Sequence, residues 1–321
     1  MSRLEYTKLG KSAIKISRVG LGAWQVNRKQ WGQDYTEEDI MKSMKRSYEL
    51  GINFIDTAEA YGDGYSEEIV GKVAKEIGRD NLVIATKVHG RHCRYNDVLK
   101  AAEKSLKRLG VREIDLYQIH WPDPWEQIPL KETMNALERL FKEGKIRAVG
   151  VSNFAVRDLK EAQSYLSDID IVSNQLRYNM VQREIEYDVL DYCKKKKITV
   201  IAWSPLAQGI LTGKYSIHNK PKDSAREDNR LFYDHNLKEI SKLLKVLEKI
   251  SESRNKTMGQ VALNWLIKEK NVVPIPGAKN PKQAEENAGA SGWELNSQEL
   301  KEIDSVLETL SLSYYKYYSS S

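Results

Sequence analysis

Residues 51–87, GINFIDTAEAYGDGYSEEIVGKVAKEIGRDNLVIATK, contain the pattern that decides the fold. Two short apolar runs, at 54–55 and 82–85, favour strands. The longer segment between them carries apolar residues at helical spacing. A strand, a helix and a strand in this order predict two parallel strands joined by a helix.

The same alternation runs along the chain. Helical patterns separate eight strand candidates, which are residues 19–21, 54–55, 82–85, 114–119, 146–151, 171–172, 199–202 and 272–275. Eight such units that close on themselves form a (β/α)₈ TIM barrel, an α/β fold. The alternative is an open doubly wound sheet. No GxGxxG follows the first strand, which weakens that interpretation.

Two segments interrupt the alternation. Residues 6–16 have strand–turn–strand character and predict an N-terminal β-hairpin at the bottom of the barrel. Residues 204–236 predict a long irregular loop after the seventh barrel strand, and loops of that length are usually functional or disordered. No linker divides the chain. We therefore expect one barrel domain, residues 1–312, and a flexible C-terminal tail, residues 313–321.

The composition excludes several classes of protein. The 321 residues carry a formal net charge of +6 that is spread along the chain, which argues against nucleic-acid binding. Cys93 and Cys193 lack metal-binding spacing, and no metal site is expected. The N-terminus lacks a signal-peptide core, and no apolar run reaches about 18 residues. We expect a cytoplasmic protein without membrane association. A homo-oligomer remains open.

Polar or ionisable residues follow nearly every predicted strand. In a (β/α)₈ barrel the carboxyl ends of the strands meet at one mouth, where the chemistry takes place. In chain order, these residues are Asp56, Lys87, His120, Ser152 with Asn153, Ser173 to Gln175, Ser204, and Gly277. Each alone has an ordinary loop explanation, but a whole rim of them predicts a functional site.

Asp56, Tyr61, Lys87 and His120 together form a chemically complete proton-transfer unit. Tyrosine, with a pKa of about 10, is a poor acid at neutral pH. The Lys87 ammonium lowers the pKa of Tyr61 by favouring the phenolate, and Asp56 balances the charge of Lys87. His120 orients a carbonyl. Because no nucleophile or metal cluster accompanies them, they indicate carbonyl–alcohol interconversion with hydride from a cofactor.

The loops after strands seven and eight suggest a phosphate site, since barrels commonly bind phosphate there. Lys279 adds positive charge for a pyrophosphate or 2′-phosphate. The candidate residues are Ser204, Gly209, Lys214, Gly277, Ala278 and Lys279 for phosphate, Glu286 and Asn287 for adenine, and Ser152, Asn153 and Gln175 for a carboxamide. Ordinary turn chemistry is the alternative.

In chain order, GLGAW, FIDTAEAYG, ATKV, YQIHWPD, GVSNF, NQLRYN, WSPLAQGILTG and IPGAKNPKQAEEN resemble the aldo-keto reductase superfamily. The match extends from about residue 6 to about residue 300 and lies nearest to the microbial and potassium-channel β-subunit-like branches. The resemblance implies a (β/α)₈ barrel that binds NADPH or NADP⁺ without a Rossmann fold. It also implies Asp56, Tyr61, Lys87 and His120 as the catalytic tetrad, with Tyr61 as general acid in reduction.

The resemblance implies a cofactor site as well. Ser152, Asn153 and Gln175 are implied at the nicotinamide amide, and Trp203 is implied to stack on its ring. The full set is Gly22, Ala23, Trp24, Asp56, Ser152, Asn153, Gln175, Trp203, Ser204, Leu206, Gly209, Gly277, Lys279, Gln283, Glu286 and Asn287. Many members carry arginine where Lys279 stands, so NADH is the alternative cofactor.

Three hypotheses for function follow. The leading one is an NADPH-dependent reductase of small aldehydes or ketones, with Trp24, Tyr61, His120 and Trp121 at the substrate and Trp125 as a further aromatic candidate. The second is a redox-sensing or channel-associated subunit that binds NADP(H) and turns it over slowly. The third, a glycosidase that uses Asp56 and Glu59, is weak because the two acids lie on one loop rather than across a cleft.

Overall fold

The computed structural model describes residues 4–123 and 127–315. Ten strands lie in these ranges: β1 (Tyr6–Lys8), β2 (Lys15–Ser17), β3 (Leu21–Gly22), β4 (Phe54–Asp56), β5 (Val83–Val88), β6 (Leu116–Ile119), β7 (Val149–Ser152), β8 (Ile171–Arg177), β9 (Thr199–Trp203) and β10 (Val272–Pro274). Strands β3 to β10 form one sheet in chain order, and each neighbouring pair is parallel.

The first and last strands of this sheet meet and close the barrel. Gly20 N donates to Pro274 O at 2.9 Å, and Gly22 N donates to Pro276 O at 3.1 Å. A Cβ atom on Gly22 would lie 2.7 Å from Ile275 O, so only glycine allows this close approach of the two backbones. The closure confirms the (β/α)₈ barrel rather than an open sheet.

Helices connect the strands on the outside of the barrel. They are α1 (Arg28–Trp31), α2 (Glu37–Glu49), α3 (Tyr65–Ile77), α4 (Tyr95–Leu109), α5 (Leu130–Lys142), α6 (Val156–Ser164), α7 (Val189–Lys196), α8 (Ser224–Glu227), α9 (Asp234–Arg254), α10 (Met258–Ile267), α11 (Pro281–Ala288) and α12 (Ser297–Leu307). Between β9 and α9 the chain forms only short helical turns, which confirms the predicted long loop after the seventh barrel strand.

The N-terminal hairpin packs into one end of the barrel. Strands β1 and β2 pair antiparallel, and Leu9, Ile14 and Ile16 are buried against Phe54 and Val83, the first residues of β4 and β5. The hairpin therefore fills the amino-terminal end of the parallel strands, as predicted. The carboxyl-terminal end is left for the polar residues.

Two strands are longer than the sequence predicted. The prediction ended β5 at residue 85 and β8 at residue 172, yet β5 includes Lys87 and β8 continues through Gln175 to Arg177. Polar residues extend these strands because their side chains find hydrogen-bond partners in the folded protein; Asn174 Nδ2, for example, donates to Phe154 O at 2.9 Å. Lys87 and Gln175 therefore sit within strands and not in the loops after them.

The described part of the C-terminal segment contacts the barrel. Ser313 and Asn236 exchange two hydrogen bonds of 2.8 and 2.9 Å, and Arg230 Nη2 donates to Tyr315 OH at 2.7 Å. Residues 316–321 and Trp125 lie outside the described ranges. Within those ranges no helix combines the length and apolar character needed to cross a membrane.

Candidate active site

Lys87 and Asp56 form a buried ion pair at the mouth of the barrel. Asp56 pairs in register with Ala85 of the neighbouring strand. Lys87 lies two residues after Ala85, so its side chain is on the same face of the sheet as that of Ala85. Lys87 Nζ donates to Asp56 Oδ1 at 2.6 Å and to Thr57 O at 2.8 Å. Both side chains are excluded from solvent, with 0% and 1% exposure. Such a pair needs good geometry and further hydrogen bonds to be stable.

Two glutamines hold the second oxygen of Asp56. Gln175 Nε2 donates to Oδ2 at 2.7 Å, and Gln118 Nε2 donates to the same atom at 3.3 Å. The predicted place of Gln175 at a carboxamide stays a prediction. Gln118 was missed, although it lies two residues before His120 on the same strand face, which is the signal that identifies it.

Tyr61 lies over the Lys87 ammonium. Lys87 Nζ is 3.4 Å from Tyr61 OH. Burial raises the pKa of Tyr61, and the charge of Lys87 only partly opposes this, so the net shift is upward. Lys87 lowers the pKa of Tyr61, as the sequence predicts, but the loss of hydration on burial has the larger effect. Burial also lowers the pKa of Lys87, but Asp56 and Tyr61, through their charges and hydrogen bonds together, raise it more, so the net shift is upward and the ammonium stays protonated.

His120 packs against the ring of Tyr61. Its ring meets the Tyr61 ring edge-on, with centroids 5.7 Å apart. Burial, together with the positive charges of Lys87 and His89, holds the pKa of His120 well below its ordinary value. The imidazole is therefore uncharged at pH 7.

The side chain of Glu59 is bound to the loop that follows β5. Its Oε1 accepts from His89 N and contacts His92 Nδ1 at 3.0 Å, so it holds the loop after β5. Asp56 is occupied by Lys87 and by the two glutamines. Asp56 and Glu59 therefore do not face each other across a cleft, and this counts against the glycosidase hypothesis.

A cavity of about 1160 Å³ opens above these groups and contains nearly every predicted site residue. Lys87 lies behind its wall. The predicted residues that line it are Gly22, Ala23, Trp24, Asp56, Tyr61, His120, Trp121, Ser152, Asn153, Gln175, Trp203, Ser204, Leu206, Gly209, Gly277, Lys279, Gln283, Glu286 and Asn287. The closed barrel thus brings one site together from loops spread over the whole chain.

One wall of the cavity is a chain of hydrogen bonds next to the catalytic groups. Ser152 Oγ donates to Gln175 O at 2.9 Å, and Asn153 Nδ2 donates to Ser152 Oγ at 3.0 Å. Trp203 Nε1 donates to Asn153 Oδ1 at 3.1 Å, which fixes the indole at the rim. The arrangement presents an aromatic face beside amide and hydroxyl groups.

The loop after β9 turns sharply at the next part of the cavity. Ser204, Ala207 and Gln208 adopt left-handed backbone angles, and Gly209 follows with φ of 100°. Left-handed backbone angles are costly for the three non-glycine residues among these four. Such a cluster within six positions usually marks a functional turn. Across the cavity Asn287 Nδ2 donates to Gly277 O at 3.2 Å and holds the turn after β10.

The far end of the cavity contains a segment that sequence analysis missed. Residues 28–35, which include α1, cover the loop around Lys279, whose Nζ donates to Trp31 O at 2.8 Å and to Asp34 Oδ1 at 3.2 Å. From the other side, Arg226 places its guanidinium 4.6 Å from the Trp31 ring centre. No local pattern marks these residues as site residues, because the contacts join positions far apart in the chain.

Three buried polar atoms without partners belong to residues that line the cavity. Gln25 Oε1, Trp31 Nε1 and Asp223 Oδ1 are buried without a hydrogen-bond partner, and all three residues line the cavity. Buried polar groups without partners are rare and costly. The size of the cavity, its aromatic rim and these atoms fit an extended nucleotide. Among the described residues, no three or more His, Cys, Asp or Glu side chains are arranged to hold a metal ion.

Comparisons with a family model and with known proteins lead to the same family. The model of the aldo/keto reductase family matches residues 18–308. Aldo-keto reductase YhdN of Bacillus subtilis (strain 168) is 36% identical over 317 residues, which cover 95% of this chain and 94% of that protein. The NADH-specific methylglyoxal reductase of Escherichia coli (strain K12) is 31% identical over 323 residues, which cover 94% and 98%.

Solved structures agree. The crystal structure of an aldo/keto reductase from Klebsiella pneumoniae in complex with NADP and acetate matches with a TM-score of 0.76 and 29% identity. The match covers 96% of each chain. The barrel described above is therefore shared with a solved reductase over nearly its full length.

Proposed function

This chain belongs to the aldo/keto reductase family and is an oxidoreductase, and from that premise we propose that it reduces aldehyde or ketone carbonyls to alcohols, reversibly, with NADPH. The observation that carries the proposal is the contact of Tyr61 OH with Lys87 Nζ, backed by the buried Asp56 pair. A bound nicotinamide cofactor supplies the hydride.

The residues around Tyr61 move and hold the proton. Tyr61 OH donates a proton to the carbonyl oxygen of the substrate during reduction and takes it back during oxidation. The Lys87 ammonium stabilises the phenolate that forms, and Asp56 keeps Lys87 charged and in place. Neutral His120 donates a hydrogen bond to the same oxygen. Trp24 and Trp121 line the mouth, where they exclude water and contact apolar parts of the substrate.

The remaining cavity residues hold the cofactor in this proposal. Asn153, Ser152 and Trp203 surround the nicotinamide, the turn at Ser204 to Gly209 receives the pyrophosphate, and Lys279 binds the adenosine 2′-phosphate. The Klebsiella pneumoniae structure with NADP supports NADP(H), whereas the NADH-specific Escherichia coli relative keeps NADH as the alternative. A cytoplasmic location, a single domain that ends at residue 312 and a homo-oligomer stay predictions.

We expect the purified protein to oxidise NADPH when small and aromatic aldehydes or ketones are added. The measurement is the loss of absorbance of the reduced cofactor, with NADPH and NADH tested in parallel across a carbonyl panel. Nucleotide binding without turnover of any carbonyl would support the slow regulatory subunit instead. Absence of both binding and turnover would contradict the proposed function.

The pH dependence of reduction follows from the two shifted groups. His120 is already neutral because its pKa lies well below the ordinary value, and Tyr61 is still protonated because its pKa is raised. We expect kcat/KM for the carbonyl to stay constant between about pH 6.5 and about pH 9. A decrease in kcat/KM as the pH falls through about 7 to 6 would show that the pKa of His120 is ordinary. A decrease in kcat/KM that begins as the pH rises above about 8 would show that the charge of Lys87 affects the pKa of Tyr61 more than burial does.

A further inference from the structure

The lysine assigned to the 2′-phosphate already has a carboxylate partner. Lys279 Nζ is 3.2 Å from Asp34 Oδ1 and lies 4.4 Å from the centre of the Tyr35 ring. Lys279, Asp34 and Tyr35 all line the cavity, and Lys279 N also bonds to Gln283 Oε1 at 2.8 Å. The contact joins the 28–35 segment to the loop after β10.

The two partners differ in exposure. The side chain of Lys279 is 16% exposed, whereas that of Asp34 is 68% exposed. Burial lowers the pKa of Lys279 even with Asp34 beside it, so one exposed carboxylate does not replace the lost hydration. For Asp34, burial raises the pKa, but Lys279, a backbone hydrogen bond and Lys214 together lower it more, so the carboxylate is ionised at neutral pH. A doubly charged phosphate would stabilise the ammonium better than Asp34 does.

Geometry places such a phosphate close to Asp34. A phosphate oxygen that bonds to Lys279 Nζ lies about 3 Å from it and therefore no more than about 6 Å from Asp34 Oδ1. Like charges at that distance repel, although solvent screens part of the effect. A ribose 2′-hydroxyl at the same place has no charge and can donate a hydrogen bond to a carboxylate, as it does in dinucleotide-binding folds.

We propose that Asp34 determines the choice between NADPH and NADH by competing with the 2′-phosphate for Lys279. The inference rests on the proposed function, which places a nicotinamide nucleotide in the cavity. Asp34 weakens the binding of NADP(H) and leaves NAD(H) binding intact or slightly improved. The wild-type protein therefore prefers NADP(H) over NAD(H) less strongly than it would if Lys279 had no carboxylate beside it.

The test is the affinity of Asp34→Asn for NADP⁺ and NAD⁺. Trp24, Trp31 and Trp203 line the cavity, so quenching of tryptophan fluorescence reports binding of either nucleotide. We expect NADP⁺ to bind roughly three- to tenfold more tightly to the variant, with NAD⁺ unchanged or weakened by up to about threefold. Lys279→Gln should instead weaken NADP⁺ and leave NAD⁺ unchanged.

Glu38→Gln is the matched control. Glu38 lies on α2, its side chain is 74% exposed, and it does not line the cavity, so the same loss of charge should leave the affinity ratio unchanged. A ratio for Asp34→Asn within about twofold of wild type, or an equal shift in the control, overturns the inference while the proposed function stands. If the wild-type protein binds neither nucleotide, the proposed function fails and the inference fails with it.

Discussion

Tyr61→Phe should reduce the turnover of carbonyl substrates by roughly 10²–10⁴-fold, the range that positioned acid–base groups contribute. The variant removes only the hydroxyl that lies 3.4 Å from Lys87 Nζ. Lys87 keeps its bonds to Asp56 and Thr57, so the fold and the nucleotide-binding cavity should be retained. The measurements are kcat with a responsive aldehyde and the affinity for NADP⁺ by tryptophan fluorescence.

Tyr65→Phe provides the control for this variant. Tyr65 lies four residues further along, is exposed, and hydrogen-bonds to Glu37 outside the cavity. Its loss should leave kcat within about twofold of wild type. A Tyr61→Phe variant that keeps more than about a tenth of the wild-type kcat would rule out Tyr61 as the general acid. A variant that also loses nucleotide binding would indicate a structural defect instead.

Asp56→Asn should lower the free energy of unfolding by about 3–5 kcal/mol, because it leaves a buried ammonium without a negative partner. In the wild-type protein Asp56 and Tyr61 raise the pKa of Lys87 against the effect of burial. That contribution to stability is present below the unfolded pKa of about 10.4 and is lost as pH rises through the folded pKa. Urea unfolding at several pH values measures it.

The variant should show the opposite dependence on pH. Without Asp56, burial dominates and lowers the folded pKa of Lys87 below its unfolded value. The unfolded chain then binds more protons, so the stability of the variant rises as pH rises toward about 10.4. The stability difference from wild type should therefore narrow between about pH 7 and pH 10. A constant difference over this range would show that the destabilisation does not come from the charge of Lys87.

Two further variants separate the buried charge from other causes. Asp170→Asn breaks an exposed pair with Lys11, whose side chain is 43% exposed, and should cost no more than about 1 kcal/mol. The double variant Asp56→Asn with Lys87→Met removes both charges and should recover much of the stability while remaining inactive. A double variant as unstable as Asp56→Asn would indicate lost packing at Asp56 instead.

Much of the site was predictable from local order along the chain. Strand and helix periodicity is a short-range signal, and a closed parallel barrel gathers all its strand ends at one mouth. Asp56 and Lys87 stand on two neighbouring strands and His120 directly follows the next one, so adjacency in sequence order predicted adjacency in space. Tyr61 follows Asp56 by five positions on the connecting loop and could be placed by the same argument.

Contacts between distant segments were not predictable in this way. Asp56 and Gln175 are 119 positions apart, and Lys279 and Trp31 are 248 positions apart. The amide chemistry of Gln175 suits a carboxamide, which stays a prediction, but the sequence does not show that Gln175 also bonds to the Asp56 carboxylate across the barrel. Asp34 carried no motif, so only the tertiary structure shows that it contacts Lys279.

The sequence by itself determined the barrel and the end of it that carries the polar residues, and it predicted the proton-transfer unit of Asp56, Tyr61, Lys87 and His120. These follow from periodicity and from chemistry at strand ends, both of which act over a few residues. Only the tertiary structure decided the ionisation of Tyr61 and His120 and the partner of Lys279. Those properties depend on burial and on charges brought in by distant segments, because a pKa reflects the whole surroundings of a group and not its neighbours in the chain.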